Sequence, residues 1–175
     1  MTWDTIKSKK IADFPLFKVF EDLVELPNGL KLDYYMVDKI PAVAILPIID
    51  DKIILTKQYR YPIQSMSLEL PAGHININET LVDCAIRELK EETGFTAGKI
   101  EKLFSYNPST EYSTQTYHIF IAEYLTEGKP DRESYELIYV EILEKTTIFE
   151  KINRGAITDS RTIIAVLFAK YINRL

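Results

Sequence analysis

"GHININETLVDCAIRELKEETGF", Gly73 to Phe95, is the stretch whose reading decides the fold. Leu81, Ala85 and Leu89 recur one helical turn apart, with Val82 and Ile86 beside them, giving one apolar face at helical period. The pattern predicts a helix that begins near Asn78 or Glu79. Gly94 stops it, because glycine reaches the left-handed conformation that closes a helix, and Phe95 can fold back onto the last turn. At roughly 100° per residue, Glu88, Glu91 and Glu92 fall on one side of that helix. Like charges one turn apart oppose helix formation by a few tenths of a kcal/mol each. Arg87 stands one turn from both Asp83 and Glu91 and can pair with either. A solvated helix face usually alternates its charges, and here only Arg87 and Lys90 interrupt the acids. The helix follows "LELPAGH" (Leu68 to His74), a short strand and a tight loop able to hold backbone carbonyls beside the carboxylates. Carboxylate and carbonyl oxygens make a hard site suited to Mg2+ or Mn2+, and a cation would relieve the repulsion on this face.

The flanks place this helix in an α/β protein. "PAVAILPI" (Pro41 to Ile48) reads as a buried strand, and "IILTKQYRYP" (Ile53 to Pro62) returns as a second. "KIEKLFSY", "QTYHIFIAEYL" and "YELIYVEI" are further strands, separated by the loops "NPSTEYS" and "EGKPDRES". "TTIFEKINRG" is helical and ends at Gly155; "DSRTIIAVLFAKYINRL" is a final amphipathic helix with Asp159 as N-cap. Upstream, Asn28-Gly29 lies between two strand-like arms and marks a hairpin. The expected organisation is an N-terminal β-hairpin arm over residues 1–40 and a main domain over 41–175, a mixed sheet with helices packed on it.

The chain has 175 residues, 46% of them hydrophobic, enough for a sizeable core, and a formal net charge of -5. That charge argues against a nonspecific nucleic-acid binder. Cys84 is the sole cysteine, which rules out an internal disulfide and favours a reducing, cytoplasmic setting. Its place beside the apolar face reads as packing. The N-terminal "MTWDTIKSKKIADF" carries no signal-peptide core, and no apolar run has the length of a membrane span.

Gly73, Glu79 and the run Arg87-Glu88-Leu89-Lys90-Glu91-Glu92-Thr93-Gly94-Phe95 together resemble the Nudix box at each of its defined positions and spacings. The resemblance implies a Nudix-type α/β/α sandwich. It also implies hydrolysis of a nucleoside diphosphate linked to another moiety, using a divalent metal, Mg2+ or Mn2+. Carried over, Glu88 and Glu92 would be the main metal ligands, with Glu91 assisting and the Ala72 carbonyl completing the set. Arg87 would orient a glutamate by salt bridge. "QYRYP", "LELPAG" and the tail "RGAITDSRTIIAVLFA" resemble the ADP-ribose pyrophosphatase branch. In that branch Arg60 would contact the pyrophosphate. Glu136, or alternatively Glu133, would be the loop base, and the N-terminal hairpin would be exchanged within a homodimer. One departure concerns the loop after the box. It reads "NPSTEYSTQ" where the branch often has Ser-Pro-Gly, which leaves the substrate open between ADP-ribose and a related nucleoside diphosphate sugar. GDP-mannose, a dinucleoside polyphosphate, or nucleotide sensing without hydrolysis are the alternatives.

Overall fold

The computed structural model of the chain describes residues 2–131 and 137–175. Two compact units make it up. The first takes Met1–Pro41 and Tyr106–Thr116. Here β1 (Asp4–Asp13), β2 (Phe17–Glu25) and β3 (Lys31–Lys39) form a three-stranded antiparallel sheet in the order β1-β2-β3. The β2–β3 hairpin turns at Asn28-Gly29, as the sequence predicts. The N-terminal segment adds β1, so the arm is a sheet of three strands rather than a hairpin alone. The side chains of β1 are almost all exposed and show no buried alternation. The strand is held by its backbone ladder and by contacts such as Lys9–Glu21 at 3.3 Å. The segment 106–116 docks on β3, where Val37 N donates to Tyr112 O at 2.7 Å and Thr114 N to Val37 O at 3.1 Å.

The second unit, Ala42–Ser105 and Tyr117–Leu175, carries the mixed sheet. Its strands are β4 (Ala42–Ile49), β5 (Lys52–Arg60), β6 (Ser65–Glu69), β7 (Ala72–His74), β8 (Thr96–Tyr106), β9 (Tyr117–Thr126) and β10 (Ile138–Glu144). The main order is β10-β5-β4-β9-β8, with β6 paired to β5 and β7 to β4. β4 and β9 run parallel, Ala42 opposite Tyr117, while β5 is antiparallel to β4, β6 and β10.

The central strands are apolar because both faces are covered. On one face Val43, Ile45, Ile54, Phe120 and Ala122 pack with Cys84, Ala85, Leu89 and Phe95 of the segment that carries α1 (Leu81–Thr93). α3 (Ser160–Tyr171) packs on β4 and β9, and α2 (Lys145–Asn153) on β10. Phe95 folds back into the core, as expected after Gly94. Val82 and Ile86 do not join the buried face: each is 45% exposed, and Cys84 is buried in their stead. No helix among the described residues is long and apolar enough to cross a membrane.

Candidate active site

α1 begins at Leu81, later than the sequence reading placed it. Asn78 has φ +64°, outside the helical region, and breaks any earlier turn. Thr80 is the N-cap and accepts from Asp83 N at 3.1 Å. Gly94, φ +83°, closes the helix by donating its N–H to Lys90 O at 2.8 Å. Glu79 stays outside the helix and accepts from Asn76 N at 2.9 Å.

The helix presses its carboxylates against β7. A Cβ built on Gly73 would lie 1.9 Å from Oε1 of Glu88, so only glycine leaves room for that carboxyl group. One turn on, Glu92 Oε2 accepts from Ala72 N at 3.1 Å. Glu88 and Glu92 are both buried, while the Glu91 side chain remains 36% exposed.

Arg87 gathers the acids. Its Nε and Nη2 donate to the two Glu79 oxygens at 2.7 and 2.9 Å. Nη1 donates to Glu88 Oε1 at 2.7 Å and to Glu91 Oε2 at 2.9 Å, and Nη2 also reaches His74 O at 3.1 Å. The expected Arg87–Glu91 pair is present. Asp83 does not pair with Arg87: the Thr80 hydroxyl donates to it at 2.6 Å, while Arg87 turns to Glu79. The Arg87 guanidinium holds the Glu79 carboxyl down at about 2, and these bonds raise Arg87 further above its already high value. Burial, with Glu79 and Glu88 nearby, pushes the Cys84 thiol up to about 12, so it is inert packing, as the sequence suggests.

The donor set fits a hard cation. Glu92 is bonded to the Ala72 N–H and Glu88 lies against Gly73, and all candidate donors are oxygens. Two carboxylates are buried on this face, Glu88 paired with Arg87 and Glu92 accepting from Ala72 N, and a divalent ion would add positive charge to them. Among the described residues no three acidic, His or Cys side chains form a ready-made cage. Glu88 and Glu91 are instead joined through Arg87.

A second charged cluster adjoins the box. Arg60, at the end of β5, donates through Nε to Glu69 Oε1 at 2.9 Å and through Nη2 to Glu69 Oε2. Arg161 Nη2 also reaches Glu69 Oε2, at 2.7 Å, and Arg161 Nε reaches Asp159 Oδ1 at 2.9 Å. Burial would raise the Glu69 carboxyl, but the Arg60 bond and the charges of Arg161 and Arg60 outweigh it and hold it low. The Glu69 bond raises Arg60, against burial, and the charge of Glu92 contributes in the same sense. Sequence reading named Arg60 and passed over Glu69 and Arg161. Strand alternation puts Glu69 on the face opposite Leu68 and Leu70, where a glutamate reads as solvent-facing, so the sequence pattern did not mark it as buried. Arg60 comes from the neighbouring strand, and Arg161 reaches Glu69 only through the packing of α3. Glu136 and Glu133 lie outside the described residues.

A mixed sheet with helices packed on it, and a strand-to-helix loop backed by buried glutamates, define a class of metal-assisted hydrolases. The NUDIX domain model matches residues 38–158. The chain is 33% identical over 167 residues to the ADP-ribose pyrophosphatase of Bacillus subtilis (strain 168), covering 94% of this chain and 90% of the relative. It is likewise 33% identical over 167 residues to the methanol dehydrogenase activator of Bacillus methanolicus, with the same 94% and 90% coverage. A crystal structure of an ADP compounds hydrolase superposes with a TM-score of 0.88 over 100% of this chain and 98% of the other at 24% identity, a likeness of fold. The chain belongs to the Nudix family and is a Nudix hydrolase.

Proposed function

We propose that this Nudix hydrolase cleaves the pyrophosphate of ADP-ribose or a related nucleoside diphosphate sugar, giving a nucleoside monophosphate and a sugar phosphate. The observation that carries this reading is the near end-to-end likeness to an ADP-ribose pyrophosphatase. Glu88, Glu92 and the Ala72 carbonyl would hold a divalent ion, Mg2+ or Mn2+, with Glu91 assisting. Bound there, the ion supplies charge neutralisation on phosphate oxygens and a more acidic water. Arg87 acts on the carboxylates rather than on substrate, orienting Glu88 and Glu91 through one nitrogen. Arg60, half-exposed and already clamped along one edge, meets the anionic pyrophosphate. Glu136, or Glu133, accepts the proton of the attacking water. We place the enzyme in the cytoplasm, consistent with a lone buried thiol. It works as a homodimer that exchanges the N-terminal arm, a role supported by the exposed apolar side chains of Trp3, Ile6, Ile11 and Leu16.

The test is a substrate panel of ADP-ribose, GDP-mannose, UDP-glucose and dinucleoside polyphosphates with Mg2+, run beside Glu92→Gln. ADP-ribose should yield AMP and ribose 5-phosphate. Glutamine keeps an acceptor for Ala72 N but loses the charge, so the variant should fold normally and lose at least about a hundredfold in rate. Absence of a nucleoside monophosphate from every compound sinks the proposal, and full activity of the variant sinks the ligand assignment.

A further inference from the structure

Glu69 is 3% exposed and receives two guanidinium groups, and the two differ in what they leave available. The Arg60 side chain is 38% exposed and that of Arg161 only 14%. Arg60 spends its Nε–Nη2 edge on Glu69, and Nη1 takes no part in those bonds. Arg161 is committed to the protein: Nε on Asp159, Nη2 on Glu69, and its guanidinium 5.5 Å from the centre of the Tyr117 ring. The first turn of α3 is itself anchored. Asp159 Oδ2 accepts from Thr162 N at 2.9 Å and from Thr162 Oγ1 at 2.7 Å, and Thr162 Oγ1 accepts from Leu70 N at 2.9 Å. Two successive residues of the β6 end, Glu69 and Leu70, are therefore latched to one helical turn.

A carboxylate held by a single arginine can swing with it about its own side-chain torsions. A second, buried arginine on Oε2 removes that freedom. We propose that Arg161 is the positioning residue for Arg60: it pins the Glu69 carboxylate from the α3 side, and Glu69 thereby presents Arg60 in one orientation to the anionic substrate. The inference rests on the reading above, in which Arg60 meets the pyrophosphate. Lysine in place of Arg161 keeps the charge but cannot span Glu69 and Asp159 with a planar fork. Arg161 touches neither the box helix carboxylates nor Ala72 through the bonds described, so its loss acts on substrate capture and leaves metal dependence in place.

The experiment compares wild type, Arg161→Gln, Arg161→Lys, Arg60→Gln and the Arg60→Gln/Arg161→Gln double variant, as full chains with Mg2+ and ADP-ribose. Arg161→Gln should raise KM about tenfold, with kcat and the half-saturating Mg2+ concentration moving less than about twofold. Arg161→Lys should recover part of the KM loss. In the double variant the KM should equal that of Arg60→Gln alone, because a positioning residue has no effect once its client is gone. If Arg161→Gln folds poorly, Arg161→Lys alone and combined with Arg60→Gln makes the same comparison. An unchanged KM in the Arg161 variants, or KM effects that multiply in the double variant, overturns the relay while the hydrolase reading stands. A wild-type chain inert on ADP-ribose and on the other nucleoside diphosphate sugars overturns that reading, and the relay with it.

Discussion

Glu79 shows how much a single side chain outside the helix contributes. It takes two bonds from Arg87 and one from the Asn76 amide, and its carboxyl sits at about 2, down from 4.5. A folded-state value below the unfolded one means that stability is fully present above about 4.5 and is lost as pH falls toward about 2. Glutamine at this position keeps the Asn76 bond and loses the ion pair. Glu79→Gln should therefore be less stable than wild type near neutrality by about 1–2 kcal/mol, discounted for partial exposure. The gap should close as pH falls through that window. Urea melts of both proteins from neutrality to pH ~2 measure this; a gap that stays constant with pH would refute the pairing. Arg87 was legible in the sequence because its partner Glu91 lies one turn away. Its stronger partner, Glu79, was not, because it precedes the helix and reaches Arg87 only through the bend at Asn78.

At the scale of the element, α1 is both an apolar wedge and a rack of carboxylates. Its caps fix which residues face β7. Thr80 sets the first turn and Gly94 the last, so Glu88 and Glu92 meet Gly73 and Ala72 without a shift of register. Thr80→Ala removes the cap acceptor and should cost about 1 kcal/mol in thermal or urea unfolding. ADP-ribose turnover at saturating Mg2+ should survive, since packing against the sheet holds the remaining turns. A collapse of activity without a loss of stability would show that the cap acts on the site directly. The helix period, its stop signal and its convergent glutamates could all be read from residues 73–95. The exposure of Val82 and Ile86 could not, since periodicity gives the direction of a face and not how far its neighbours cover it.

At the scale of the whole molecule, the two units differ in how well their apolar residues are covered. The mixed-sheet unit buries strands such as Val43–Leu46 completely, whereas the N-terminal sheet leaves Trp3, Ile6, Ile11 and Leu16 exposed. A second copy of the chain is the proposed cover. Multi-angle light scattering at micromolar concentration should give about twice the 20.3 kDa chain mass. A monomer at that concentration would exclude the exchanged arm. The three-stranded arm was only partly legible: Asn28-Gly29 announced the hairpin, but β1 lacks buried alternation and pairs through backbone and surface charge.

The sequence by itself determined the family, the box helix and the identity of its acidic side chains. Those depend on residue type at fixed spacing, and a helix converts spacing into direction. Tertiary structure alone decided which charges meet across the chain. Glu69 lies between Arg60 of a neighbouring strand and Arg161 of a helix ninety-two residues later, and burial makes that choice of partners obligatory.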